Sequence, residues 1–236
     1  LKFCVKYPFT EEAKKFVEGV DFSKISDDIL AGAAQRIEKA LEDGTSLQKD
    51  KIREIESSRK EDYLKENLIS YPVSKILISL CDDTLLKRKY ASSVSKNVSY
   101  FLQLEKDETV LRVAKQLFPL EVDGNRYRIP LNDYLSYLPE GQEFRLINVE
   151  MDNGKVFVDK HALSRVISNY VYESIVRTKV DRTKLPKMFI YFADELAKKY
   201  KRADVQMDLG PVDIGSFPPC MRKICSDLLN PDVEVS

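Results

Sequence analysis

Phe144-Arg145-Leu146-Ile147-Asn148-Val149-Glu150-Met151-Asp152-Asn153-Gly154-Lys155-Val156-Phe157-Val158 is the stretch that keeps this chain from being read as all helix. Apolar and polar residues alternate on both sides of Asp152-Asn153-Gly154. Asn-Gly accepts the left-handed backbone that a tight hairpin turn demands. The spacing predicts a hairpin with residues 144–151 as one strand and residues 155–158 as the other. A second turn signal, Asp123-Gly124-Asn125, stands between Leu120-Glu121-Val122 and Arg126-Tyr127-Arg128-Ile129-Pro130 and predicts another hairpin. A helix over 107–118, opened by Asp107, precedes this pair, and a short helix over 131–138 falls inside it. Residues 105–158 therefore read as a small α+β module.

Outward from the module the period changes to that of helices. Residues 1–22 read as a lead-in with a helical turn around Ala13 to Val17. Ile29, Ala33, Ile37 and Leu41 recur at four-residue steps behind Ser26, Asp27 and Asp28, which suit a helix start, and Gly44 is a stop signal. Residues 47–66 are dense in charge and read as a solvated helix face rather than a binding patch. The apolar run 68–80 is broken by Pro72, so a helix is expected to begin near that proline. Another is expected over 84–104, with Val94, Val98, Phe101 and Leu102 on one side.

After the module, Asp159 opens a long helix whose stripe is Leu163, Val166, Ile167, Tyr170, Val171 and Ser174 or Ile175. Pro186 begins another, with Phe189, Phe192 and Leu196 inward and Lys198, Lys199, Lys201 and Arg202 at its end. Residues 203–219 lack periodicity and read as a connecting segment. The expected fold is mainly α, a multi-helix domain with an inserted two-hairpin subdomain. It divides into a helical part over 1–104, the module over 105–158, completing helices over 159–209, and a linker with the start of a further domain over 210–236.

Charge narrows the function. Lys and Arg total 38, as do Asp and Glu, so the net charge is zero. A protein that binds nucleic acid with its whole surface runs basic; here any such contact must be local or supplied by a partner. No apolar run approaches the ~20 residues of a membrane span, so a soluble chain with no membrane partner is expected. Cys4, Cys81, Cys220 and Cys225 show no C-x-x-C spacing, which together with the lack of a secretory signal predicts a reduced, intracellular setting. Residue 1 is Leu, so the numbering is expected to start inside a longer chain.

The residues of catalysis are sparse. Two-metal phosphoryl transfer needs carboxylates clustered on rigid neighbouring elements, whereas Asp27-Asp28 and Asp82-Asp83 sit where helices start and read as caps. Asp208 and Asp213 lie in the aperiodic segment. His161, the one histidine, falls early in a helix and reads as a partly exposed surface residue. No glycine-rich loop precedes a Lys-Ser/Thr pair. Cys4 and Cys81 sit in apolar company and read as buried thiols. No active site is expected.

Phe217-Pro218-Pro219-Cys220-Met221-Arg222 resembles the segment that carries the first iron–sulfur ligand in the large, non-catalytic subunit of archaeal and eukaryotic DNA primase. Ser70-Tyr71-Pro72-Val73-Ser74-Lys75-Ile76-Leu77 with Arg88-Lys89-Tyr90-Ala91, and the segment 126–135, are similar to the same family. The resemblance implies a regulatory subunit that scaffolds RNA primer synthesis. It would bind the catalytic small subunit as a heterodimer and position an iron–sulfur domain on template DNA, initiating nucleotide and RNA primer. Cys220 would be one ligand of a four-iron cluster and the other three would lie beyond Ser236, so this chain alone would hold no cluster. Residues 210–219 would act as a tether. Tyr127, Ile129, Tyr134 and Tyr137 are the candidate docking residues, since aromatic side chains anchor interfaces; the same side chains would equally serve to fill the module's own core. The resemblance implies a cytoplasmic, nucleoid-associated location for an archaeal protein and a nuclear one for a eukaryotic protein. The alternative is a stand-alone helical adaptor or nucleic-acid-binding protein using Lys198, Lys199, Lys201 and Arg202 on phosphates.

Overall fold

Amphipathic repeats dominate the chain and become helices: α1 (Lys2–Lys6), α2 (Glu11–Val17), α3 (Asp27–Glu42), α4 (Glu61–Leu80), α5 (Thr84–Leu104), α6 (Asp107–Lys115), α7 (Leu131–Ser136), α8 (Lys160–Val176) and α9 (Lys187–Tyr200). Between α6 and α8 lie the strands β1 (Glu121–Asp123), β2 (Arg126–Pro130), β3 (Met151–Asp152) and β4 (Lys155–Val158). The computed structural model describes residues 1–42, 60–124, 126–200, 218 and 221, with Ser23 given by its backbone alone. Leu1–Tyr200 forms one packed unit. Cys220, Cys225, Asp208, Asp213, Lys201, Arg202, Gly44, the charged stretch 47–59 and the expected tether apart from Pro218 lie outside the described residues.

The seam between α5 and α8 is the most extensive contact among the described elements. Each helix turns its apolar stripe to the other: Tyr90, Val94, Val98 and Leu102 from α5, and Leu163, Val166, Ile167, Val171 and Ile175 from α8, are all buried. Ser168 donates a buried hydrogen bond to the Ser95 carbonyl oxygen at 2.7 Å, a cross-helix tie of about 1 kcal/mol. α3 lies along α4, α9 packs on both, and one continuous apolar core runs from Tyr7 to Leu196. Local signals fix the ends. Asp83 accepts from the Leu85 and Leu86 amides at 2.8 and 2.9 Å to cap α5, and Asp159 accepts from the Ala162 amide at 2.7 Å to cap α8. Asp27 and Asp28 occupy the first turn of α3.

The fold is thus mainly α with a small α+β module, as the residue periods predict. The strands form one antiparallel sheet in the order β1-β2-β4-β3. Asn153 and Gly154 both take positive φ, 47° and 74°, the backbone that Asn-Gly was expected to supply at the β3–β4 turn. Tyr127 faces Val158 and Ile129 faces Val156, and all four are buried against the helices. The intervening residues Arg126, Arg128 and Phe157 consequently fall on the outer side of the sheet.

Four local expectations are corrected. The predicted strand over 144–151 shrinks to Met151–Asp152, and two short 3₁₀ turns, Gln142–Phe144 and Leu146–Asn148, take its place. Phe144 leaves the alternation because it drops into the core, where its carbonyl oxygen accepts from the Tyr134 hydroxyl. The helix expected to begin at Pro72 instead starts eleven residues earlier and runs through the proline as α4. A proline inside a helix costs about 3 kcal/mol; burial of Leu64, Leu68 and Tyr71 on the turns before it offsets that cost. The amino-terminal lead-in is core material, since Tyr7 and Phe9 are buried. α6 also ends earlier than expected, at Lys115, with Asp107 in its first turn rather than at its cap.

Polar contacts seat those amino-terminal helices. Arg112 on α6 clamps Glu12 on α2 with bonds of 2.6 and 3.1 Å and stacks its guanidinium 4.0 Å from the Phe3 ring centre. Glu105, just past α5, receives Lys6 at 2.5 Å and the Tyr7 hydroxyl at 3.0 Å. Burial alone would raise its pKa, but the Lys6 and Tyr7 bonds outweigh burial and hold the carboxyl below the usual range. A depressed folded pKa means stability present above the unfolded value, near 4, and lost as pH falls through the folded one. Glu105→Gln should therefore lower the unfolding free energy by about 1–2 kcal/mol at pH 7. Urea melts should show that difference shrinking toward zero at pH 3.

Candidate partner and nucleic-acid interface

The outer face of the sheet is built around one aromatic ring. Phe157 on β4 lies between two guanidinium groups, with Arg126 4.6 Å and Arg128 4.7 Å from its ring centre. Carboxylates fix the arginines: Arg126 pairs with Glu150 at 2.5 Å and Arg128 with Asp123 at 2.6 Å, while Lys155 pairs with Glu121 beside them. The Arg128 Nε is nonetheless buried without a hydrogen-bond partner among the described residues. Arg stacked on an aromatic ring is a composition enriched where proteins meet other proteins. The module also exposes several large apolar side chains, Val122, Met151 and, at 88% exposure, Ile147, with Leu135 and Leu138 on the wall of a neighbouring cleft.

The four candidate docking residues take a different place. Tyr127, Ile129 and Tyr134 are closed to solvent, and Tyr137 is half-buried, its ring 5.8 Å from that of Phe118 and 5.2 Å from that of Tyr170. They shape the module from within, while Arg126, Arg128 and Phe157 meet solvent. The missed residues were readable in principle: with a period of two, inward Tyr127 and Ile129 require outward Arg126 and Arg128.

Beside the module a cleft of about 590 Å³ opens between α5, α7 and α8. Arg88, Lys89 and Lys96 on α5 and Arg165 on α8 line it, and none of the four has a carboxylate partner among the described residues. Of the two acids on its walls, Glu173 is already held by Arg177 at 2.8 Å, which leaves Glu140. In a chain of zero net charge this is a local concentration of positive charge of the kind phosphates meet. The basic end of α9 is differently occupied. Lys198 pairs with Glu195 at 2.9 Å, and Lys199 with Glu38 at 2.9 Å and Glu42 at 3.7 Å.

The described thiols do not fit an iron–sulfur cluster. Burial pushes the Cys4 thiol up and the Cys81 thiol up to about 11, and Cys81 Sγ donates to the Leu77 and Ala193 carbonyl oxygens. Thiolate ligands need the opposite environment. His161 is exposed and stacks on Phe144, ring centres 6.0 Å apart. Among the described residues, no three of His, Cys, Asp or Glu come together as a metal site.

A helical scaffold that carries a small α+β module and a basic cleft is the class of protein this arrangement defines. Over nine tenths of its length the chain is similar to archaeal proteins named DNA primase large subunit PriL. It is 29% identical to that of Methanocella arvoryzae over 94% of this chain and 62% of the relative. With that of Methanosarcina acetivorans it shares 26% identity over 91% of this chain and 60% of the relative. With that of Halobacterium salinarum the identity is 25% over 96% of this chain and 68% of the relative. The chain thus spans about six tenths of the length of the first two of these relatives. No protein-family model matches it.

The cleft gives a direct test on an immobilised polyanion. Lys89→Ala with Lys96→Ala should lower heparin affinity several-fold and reduce the salt slope by about one per cation removed. Lys198→Ala, which removes a cation already paired, should leave both unchanged.

Proposed function

We propose that this chain acts as the non-catalytic large subunit of a heterodimeric DNA primase, binding the catalytic small subunit and organising template and RNA primer beside it. The observation that carries the reading is the similarity to archaeal primase large subunits along nearly the whole chain. The Phe157 face supports it by offering a partner an aromatic centre framed by arginines. That is the composition of an interface hot spot, worth about 2 kcal/mol or more when the ring is removed. The basic cleft beside the module supports a further element: phosphates of a template–primer duplex would meet Arg88, Lys89, Lys96 and Arg165 while the partner holds the module. In this reading the small subunit performs phosphoryl transfer, and the large subunit sets where the nucleic acid lies. Cys220 would supply one thiolate of an iron–sulfur cluster, and residues 210–219 would set that cluster's reach.

The stand-alone adaptor reading has less support, because Lys198 and Lys199 are engaged by Glu195, Glu38 and Glu42. The two readings part in one experiment. Isothermal titration of the chain with an archaeal primase catalytic subunit should give a one-to-one complex, weakened at least about thirtyfold by Phe157→Ala. Ile147→Asp should weaken it as well, while Lys198→Ala should not. No association with the catalytic subunit, together with tight salt-dependent DNA binding by the isolated chain, would favour the adaptor.

A further inference from the structure

A second cleft, of about 540 Å³, opens where Pro8, Phe9 and α2 meet α4 and α8. Its walls are mainly apolar, with Phe9, Val17, Phe22 and Pro72 among them, and its volume falls in the range of sites that take small molecules. Two polar groups on the wall are not used by the fold. Tyr71 is 4% exposed, and its hydroxyl is buried with no hydrogen-bond partner among the described residues. Lys75, one helical turn further along α4, has no hydrogen bond or ion pair with any described residue; its recorded contact is the Tyr71 ring, 5.8 Å from Nζ to the ring centre. Residues four apart on a helix share a face, so an orphaned donor and an orphaned cation line the same cavity.

Both groups cost the folded chain stability. An unsatisfied buried hydroxyl and a desolvated ammonium are each worse off than in water. The neighbours do not relieve them. Lys14 at the rim is taken by Glu11 at 2.6 Å, and Ser174, whose hydroxyl donates to the Val171 carbonyl oxygen at 2.8 Å, gives the Tyr71 hydroxyl a polar neighbour but no hydrogen bond of ordinary geometry. We propose that this cleft binds a small organic anion with an apolar body, its charged oxygens held by the Lys75 ammonium and the Tyr71 hydroxyl. The apolar walls take up the body of such a ligand, and Glu18 at the rim disfavours a second negative charge. Burial lowers Lys75 to about 8, so an anion in the cleft would also restore its charge. The assignment stands on this cavity and is independent of the primase reading.

The test uses the full chain with anilinonaphthalene sulfonate as the anionic probe and uncharged phenylnaphthylamine as its control, both read by fluorescence. The sulfonate should bind at one saturable site. Lys75→Met should weaken it about tenfold or more and leave the neutral probe bound at least as well; Lys75→Arg should retain it; Tyr71→Phe should weaken it several-fold. Because Lys75→Met removes a desolvated charge, it should raise the melting temperature while it weakens binding. Three results would overturn the proposal: sulfonate affinity unchanged in Lys75→Met, no saturable sulfonate site, or a Lys75→Met variant that melts lower and loses both probes together.

Discussion

Everything else in the structure hangs on the packing of α5 against α8. Each of these helices has a second duty that needs the first to be met. The sheet rests on α8 through Tyr127, Ile129, Val156 and Val158, so α8 must be held before the module has a floor. The carboxyl end of α5 receives the amino-terminal helices through Glu105, and its opposite end, capped by Asp83, receives α4 through the buried contact of the Ser74 and Tyr90 hydroxyls at 2.8 Å. The two helices bury mainly apolar side chains, together with Asn97, Ser99 and Ser164, and the Ser168–Ser95 bond ties them. The seam is therefore strong through buried area and given its register by one hydrogen bond.

From that seam the functional surfaces follow by geometry. A four-stranded sheet with one face on helices must turn its other face to solvent, and alternation along β2 decides which residues go where. Arg126 and Arg128 come outward because Tyr127 and Ile129 go inward, and the register with β4 brings Phe157 opposite Arg128. The basic cleft has the same origin. α5 and α8 bury one stripe each, and the cations on their flanks, Arg88, Lys89, Lys96 and Arg165, are left around the groove that α7 completes. Neither surface needs a strained backbone or a buried ion pair to exist.

Much of this was legible in the residues and some was not. The helices over 84–104 and from Asp159 announced themselves through an apolar stripe and a capping aspartate, two local signals that agree. The Asn153-Gly154 turn was legible because almost no other pair accepts two positive φ values in succession. Residues 144–150 misled because alternation describes a strand only if every second residue shares a face. Here Phe144 is buried and Leu146 half-buried, but Asn148 and Glu150, which alternation would put on the same face, stand in solvent. Pro72 misled because its local penalty is small beside the apolar area that α4 buries. In the candidate site, aromatic character pointed to Tyr127 and Tyr134, which the fold uses as core. The basic cleft was not legible because Arg88, Lys89 and Lys96 on α5 meet Arg165 and the α7 wall only when the helices pack. The family resemblance was legible in short motifs, and the long-range similarity to archaeal primase large subunits agrees with it.

Under the proposed function, the outer face of the module, not the helical body, is where a catalytic primase subunit binds. Hydroxyl-radical footprinting of the chain, free and mixed with such a subunit, tests this directly, since each surface carries exposed reactive side chains. Oxidation of Met151, Ile147 and Phe157 should fall in the complex while that of Met188 and Tyr191 on α9 does not change. Protection of Met188 and Tyr191 with Met151 and Phe157 still fully oxidised would contradict it.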